Sequence, residues 1–446
     1  MAQRSRWLIG ILFTVLFAAA AAQNDDLVYI HAGALLDRPG EPPRGESTLI
    51  IRGTRIDSVR DGHVRPELGA RLIDLSDQFV LPGMIDMHVH ILNPDDKMRA
   101  RLEANNRAIE DRLLIGVDNA RRTLGAGFTT VRDLGSNVHS ISALRDAINS
   151  GLIEGPTIVP AGMMISITAG HGDRSSNTNR DVAAAARAQA NNLCNGPADC
   201  RRAVRDQVSQ GAEVIKFAAT GGVNSNIAAG LEQQMFPDEM RAIVETAHLL
   251  GLKVAAHAHG QNGIKAALEA GVDSIEHGTY TDAETNALFQ KNNAWLVPTM
   301  IAGTAALSQA RAGARSEATL AKAEQAVAVH TQSMVGAIRD GVPIAFGTDT
   351  GVSDHGKNAA ELALLVDAGM TPAAAIQAAT VNAALLLGRE DRVGGLEPGM
   401  DADIIAVARS PLEDVRELEQ VRFVMRRGIV HRIDALSQAF PPARRH

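Results

Sequence analysis

Two histidines stand one residue apart in the apolar stretch "GMIDMHVH", as His88 and His90. A strand alternates its side chains between faces, so the two imidazoles project from the same side. Other donors close further apolar runs: Lys216 in "EVIKFAATGG", His257 and His259 in "KVAAHAHG", His277 in "SIEHGTY" and Asp349 in "VPIAFGTDTG". Neutral imidazole and carboxylate are ligands for zinc and its first-row neighbours. Lys216 is different, because an ammonium has no lone pair and repels a cation. Between Ile215 and Phe217 its charged head is costly, so it is expected either to lose its proton or to be chemically converted. Each donor has a bland reading as well: a satisfied core histidine, a lysine snorkelling to a rim, an aspartate capping a helix. All of those would have to hold together, and a shared metal centre is the simpler reading.

Such donors need a scaffold that brings distant strand ends to one place. Eight short apolar runs provide candidates, beginning at "GMIDMHVHI", "FTTVRDLG" and "TIVPAGMMI" and ending at "AWLVPTM" and "VPIAFGTDTG". Alanine-rich helical patterns such as "PDEMRAIVETAHLLG" and "GIKAALEAG" separate them, several closed by glycine. Repeated alternation of this kind predicts an α/β chain with a parallel (β/α)8 TIM-like barrel, whose strands present their C-terminal ends to an active site. No G-x-G-x-x-G follows the first run, which argues against an open doubly wound sheet. The span from "TAALSQARAG" to "AVHTQSMVGAIRDG" fits two helices joined by a turn. Short β-rich runs also occur at both ends of the chain, as in "STLIIRGTRIDSV", "DADIIAVA" and "VRFVMRRGIVHRI". The expected organisation is a leader at 1–22, a small β-sandwich domain from 23–82 and 390–436, a barrel at 83–389 and a tail at 437–446.

On these motifs, together with "TTVRDLG", "AGHGD" and "AATVNAALLLG", the chain resembles the binuclear metal-dependent branch of the amidohydrolase superfamily. Within it the likeness is to Xaa-Pro dipeptidase-like enzymes and ochratoxinase, with imidazolonepropionase a more distant neighbour. The resemblance implies two divalent metal ions, zinc by preference. His88 and His90 would hold the more buried ion, His257 and His277 the more exposed one. A carboxylated Lys216 would bridge the two, and Asp349 would touch the buried ion and shuttle a proton. His257 is preferred to His259, which is expected to point the other way or to stand one layer up, in a structural role. Two cations about 3.5–4 Å apart turn a bridging water into hydroxide near neutral pH. Hydroxide would attack a polarised carbonyl, and Asp349 would pass the proton to the leaving nitrogen. The implied activity is hydrolysis of amide bonds in dipeptides or N-acyl amino acids with a free carboxylate.

Outside the metal ligands, His171 in "TAGHGD", Tyr280 after His277 and His355 in "SDHGKN" are candidates for contact with substrate, or for loop hydrogen bonding alone. Arg132 and Asp133 are expected to form a supporting salt bridge, and the segment after Gly221-Gly222 to line a substrate pocket. Two rivals remain. A cyclic-amide hydrolase or deaminase shares the superfamily, but deaminases there commonly use one metal and lack the lysine. A non-catalytic scaffold would have lost ligands, and here each position is filled.

A net charge of −7 with no long basic block leaves no footprint for nucleic acid. Arg4 and Arg6, an apolar run to Ala22 and polar residues from Gln23 read as a secretory leader cut after Ala22. A single membrane anchor is the competing reading, but the run is short for spanning. The expected location is periplasmic or secreted, with no membrane attachment after cleavage. In an oxidising compartment Cys194 and Cys200 are expected to pair and brace a surface excursion. The partners expected are a small-molecule amide and further copies of the chain, in a homo-oligomer.

Overall fold

The computed structural model describes residues 27–96, 100, 107–176, 179–188, 190–225, 227–313 and 317–434. The leader and tail foreseen at 1–22 and 437–446 lie outside the described residues. Four strands come first: β1 (Leu27–Leu35), β2 (Ser47–Arg52), β3 (Arg55–Asp61) and β4 (Arg71–Pro82). Seven follow through the middle of the chain: β5 (Met84–Val89), β6 (Phe128–Asp133), β7 (Thr157–Pro160), β8 (Ile215–Ala218), β9 (Val254–Ala258), β10 (Ser274–His277) and β11 (Trp295–Val297). The last three are β12 (Ile404–Val407), β13 (Phe423–Arg426) and β14 (Ile429–Ile433).

The two chain ends meet in one seven-stranded sheet of order β14-β13-β12-β4-β1-β2-β3. The join is the antiparallel pairing of β12 with β4, where Ile404 faces Pro82 and Val407 faces Phe79. Ile30, Leu49, Ile404 and Phe423 pack together on this sheet.

The middle strands form parallel sheets of three strands, β5-β6-β7, and four, β11-β10-β9-β8. Every residue of β5, β6, β8, β9 and β10 is buried. That is why these strands read as unbroken apolar runs rather than as alternations. Helices alternate with them, for example Ile109–Gly125 between β5 and β6 and Gln261–Ala270 between β9 and β10. The latter stops at Gly271, whose φ of 91° is left-handed. Helices Met300–Arg311 and Glu317–Arg339 follow β11, as the sequence predicts.

Single bridges link the sheets. Ile165 pairs with Phe217 of β8, Leu296 of β11 with Ile344, and Val89 of β5 with Thr350. The eighth strand candidate therefore runs beside both β11 and β5 without becoming a regular strand. Some of its backbone groups bond to β5 and β11, and others are taken by a side chain and a helix. The Thr348 amide donates to Asp86 Oδ1 (3.1 Å) and the Phe346 amide to the Ala378 carbonyl (2.9 Å). The third candidate is cut short at Pro160, and Gly162 follows with φ of 70°.

Cys194 and Cys200 are joined by a disulfide, and both are fully buried. The sequence placed this bridge on a surface excursion. It packs instead with Ala203 and Val204 of the helix Pro197–Ser209, inside the main core. Among the described residues no helix is long and apolar enough to cross a membrane.

Candidate metal centre

Strand β5 ends by presenting His88 and His90, with ring centroids 5.4 Å apart. Asp349 reaches them from the irregular eighth segment. Its Oδ1 lies 3.0 Å from His90 Nε2 and 3.6 Å from His88 Nε2. The Asp349 amide donates to the His88 carbonyl at 2.7 Å, which locks the segment to β5. Asp86 braces both sides of that junction. Its carboxylate accepts from the His88 amide (3.0 Å), Thr348 Oγ1 (2.6 Å) and Asn358 Nδ2 (2.8 Å). Burial still pushes the Asp86 carboxyl up to about 6.

Lys216 projects from β8 with a buried ammonium nitrogen that has no hydrogen-bond partner among the described residues. Burial pushes it down to about 8, although Glu276 pulls the other way. Glu276 itself sits on β10 in a fully buried pair with Arg132, Nη2 to Oε1 at 2.8 Å. Burial pushes its carboxyl up, but Arg132 and then Lys216 outweigh that and hold it at about 2. Its second oxygen, Oε2, approaches His88 Nδ1 to 2.9 Å, off the direction of a hydrogen bond.

His257 and His259 from β9 and its end, and His277 at the end of β10, bring ring nitrogens within 4.8 Å of one another. The threonine hydroxyls fix two of these rings. His259 Nδ1 lies 2.8 Å from Thr279 Oγ1, and His277 Nδ1 lies 2.7 Å from Thr299 Oγ1. Each contact leaves Nε2 for the cavity, the arrangement in which a partner on one ring nitrogen orients the other toward a metal. His257 Nε2 lies 3.2 Å from the Gly221 carbonyl. Of the two placements expected for His259, pointing the other way does not hold, since it lines the same cavity as His257. The alternation that pairs His88 with His90 applies equally to these two.

His277, Thr299 and Asp349 all have left-handed φ values, of 73°, 57° and 53°. Each such residue costs about 1–3 kcal/mol, and strain of this kind gathers at functional sites. Burial favours neutral imidazoles here, although at His90 the adjoining Asp349 carboxylate outweighs burial and raises the ring above its ordinary value. Burial takes His88 to about 4, assisted by the Lys216 charge, and His259 to about 3. His257 and His277 are likewise well below the ordinary range.

These donors fit metal ions. Two ligands about 2.0–2.1 Å from one tetrahedral zinc lie about 3.3 Å apart. The spacings from Asp349 Oδ1 to the two Nε2 atoms bracket that value. Asp349 Oδ1 and Lys216 Nζ are both buried without a hydrogen-bond partner among the described residues, and the imidazoles of His88, His257, His259 and His277, with lowered pKa values, keep their lone pairs. The donors border a cavity of about 190 Å³.

His171 also lines this cavity, its ring 4.3 Å from that of His257. Gly222 packs so tightly on the His171 ring that an added Cβ would come within 2.5 Å of it. Of the segment after Gly222, Val223 and Asn224 reach the cavity. Tyr280 and His355 are not among its lining residues. The Tyr280 amide donates to the His259 carbonyl, and His355 Nε2 lies 3.1 Å from the Asn93 carbonyl, so both brace surrounding loops. The salt bridge foreseen between Arg132 and Asp133 is replaced by Arg132–Glu276, because neighbours on a strand face opposite ways. Asp133 accepts the Ile91 amide at 2.7 Å. Sequence reading passed over Asp86, Glu276, Thr279, Thr299 and His330. Asp86, two residues before His88, and Glu276, next to His277, are the charged residues within those apolar runs that could have marked the first two. His330 lies within a long helix, with its Nε2 2.9 Å from the His277 carbonyl, and no strand-end signal marks it.

Buried imidazoles and a carboxylate gathered beside parallel strands form groups that could hold a metal ion, with a buried lysine beside them. The amidohydrolase family model matches residues 79–431, and the chain belongs to that family, as a hydrolase acting on carbon–nitrogen bonds. It is 34% identical over 422 residues to the ochratoxinase of Aspergillus niger, covering 91% of this chain and 86% of that protein. A solved Xaa-Pro dipeptidase with methionine in its active site is similar at a TM-score of 0.85 and 37% identity, over 91% of this chain and 99% of that one. A prolidase complexed with N-methylphosphonate-L-proline has a TM-score of 0.82 at 28% identity, over 92% and 100%.

Proposed function

We propose that this protein hydrolyses amide bonds to amino acids that carry a free carboxylate, Xaa-Pro dipeptides and ochratoxin-type amides included. The observation that carries this is the convergence of His88, His90 and Asp349 beside an unpartnered buried lysine. The names of the similar proteins support the substrate class. His88, His90 and Asp349 would hold one divalent ion, and His257 and His277 a second. Lys216, whose lowered pKa keeps a fraction of neutral amine near neutral pH, would add carbon dioxide and lose a proton to become a carbamate between them. When bound, the ions supply an electrophile for the scissile carbonyl and acidify a water. Asp349 takes that water's proton on a carboxylate oxygen and delivers it to the leaving nitrogen. The transfer is needed because an amide anion is a very poor leaving group. Arg132 and Glu276 keep His88 and Lys216 in a fixed field.

The same reading includes closure of the two parallel sheets and the eighth segment into a (β/α)8 barrel at 83–389. It also includes folding of the seven-stranded sheet into a small sandwich domain from 23–82 and 390–436. Export to the periplasm or medium and assembly into a homo-oligomer belong to the proposal too.

The test is metal analysis of the purified chain, joined to an amide library read by amine release. The library holds Xaa-Pro dipeptides, N-acyl amino acids and ochratoxin A. Two ions per chain and release from this panel are expected. One ion per chain, with turnover of lactones or hydantoins in place of the panel, overturns the reading.

A further inference from the structure

The cavity beside the proposed metal centre has a mixed lining. Asn93, His171, Asn224 and His330 contribute polar groups, the last held at the His277 carbonyl. Two helices contribute small side chains, Ala302, Gly303 and Ala306 of Met300–Arg311 and Ala323, Ala326 and Val327 of Glu317–Arg339. These small side chains leave open a space that larger ones would fill. Among the described lining residues Asp349 is the one carboxylate and Lys216 the one aliphatic amine. Asp349 is already committed to His88 and His90.

A dipeptide with a free amino terminus carries an ammonium group next to its scissile carbonyl. Placing that charge here sets it near cations, with no unclaimed carboxylate in the lining to pair with it. A buried charge without a partner is costly. An acylated amine or an aromatic acyl group has no such charge and gains by covering the small side chains of the two helices. The substrate's carboxylate, which needs donors, would then face Asn93 and His171.

Resting on the amide-hydrolase reading, we propose that the space lined by the two helices is an acyl pocket. It selects amides whose acyl side is uncharged and bulky over dipeptides with a free α-ammonium group. Ala306 and Ala326 set the size of that pocket, one from each helix.

The experiment compares kcat/KM of the wild-type metal-loaded enzyme for Phe-Pro with N-acetyl-Phe-Pro, and for N-benzoyl with N-acetyl derivatives of proline and phenylalanine. At pH 7 the blocked substrates are expected to lead by about tenfold or more. The lead over Phe-Pro narrows as pH rises to 9, because the α-amino group loses its proton with a pKa of roughly 7.7–8.0. N-acetyl-Phe-Pro at each pH corrects for titration of the enzyme. In Ala306→Phe and, separately, Ala326→Leu, the benzoyl-to-acetyl preference falls by about tenfold or more. Phe-Pro turned over as fast as its acetylated form at pH 7 overturns the inference and leaves amide hydrolysis standing. No release from any amide overturns the amide-hydrolase reading, and this inference with it.

Discussion

Two cavities handle their polar groups in opposite ways. At one, His88, His90, Lys216 and Asp349 crowd together with atoms that have no hydrogen-bond partner among the described residues. At the other, Thr130 of β6, Arg389, Arg392 and Asp401 are among the residues that line a larger space of about 580 Å³. There the arginines are paired: Arg389 with Glu213 at 2.8 Å, and Arg392 with both oxygens of Asp401 at 3.0 Å. Thr130 Oγ1 and Arg427 Nε are left over, in a space roomy enough for water. Buried groups without partners at displaced pKa values favour the first cavity as the place of the proposed chemistry, and completed ion pairs suit the second to holding the chain together.

The largest expected effect breaks the first cavity. His88→Ala and Asp349→Ala each lower kcat/KM by about 10³-fold or more, since metal chemistry contributes several kcal/mol to the barrier. Neither should unfold the chain, because both side chains work against backbone geometry that Asp86 and the Asp349 amide already fix. Thermal melting and steady-state amine release check this together. Either variant retaining wild-type turnover would remove the proposed mechanism.

A smaller effect crosses the boundary between the two kinds of site. Glu276 pairs with Arg132 like a structural residue, yet also touches His88. Glu276→Gln leaves a buried guanidinium without a carboxylate and is expected to cost about 3 kcal/mol. Metal affinity should fall about 10–100-fold, the usual consequence of losing an outer support. The sign of the pH effect follows from a folded pKa of about 2, below the ordinary carboxyl value. Such a group contributes stability that is complete above an unfolded pKa of about 4.3 and is lost as pH falls toward the folded value. The stability gap between wild type and Glu276→Gln should therefore be constant above about pH 5 and close toward pH 2. Urea denaturation across this range measures it, and a gap that ignores pH would show that Glu276 is not held as an anion.

The same contrast shows what the sequence carried. His88, His90, Lys216, His257, His277 and Asp349 were legible because each closes an apolar run, and strand periodicity aims its side chain. The supports of those residues were not. Thr299 meets His277 across a separation of 22 residues, and Asp86 meets Thr348 across 262. Such pairings exist only once strands are neighbours, and nothing local announces them. The eighth segment fails to become a strand for the same reason, since a distant carboxylate takes its Thr348 amide. His259 is a different case. Alternation placed it beside His257, and only the likeness to a known ligand pattern set it aside.

The smallest expected effect tests the second cavity. Arg392→Ala removes a pair that is partly open to solvent, with the Arg392 side chain 40% exposed. Asp401 does not become an isolated charge, because Arg55 Nε lies 3.3 Å from its Oδ1. The loss should therefore be near the surface-pair value of about 1 kcal/mol, not the several expected for a buried orphan. It should leave kcat/KM unchanged, since neither residue lines the histidine cavity. Chemical denaturation gives the first quantity and amine release the second. A drop in turnover with stability intact would mean that this cavity takes part in the reaction, and the division of labour drawn between the two cavities would fail.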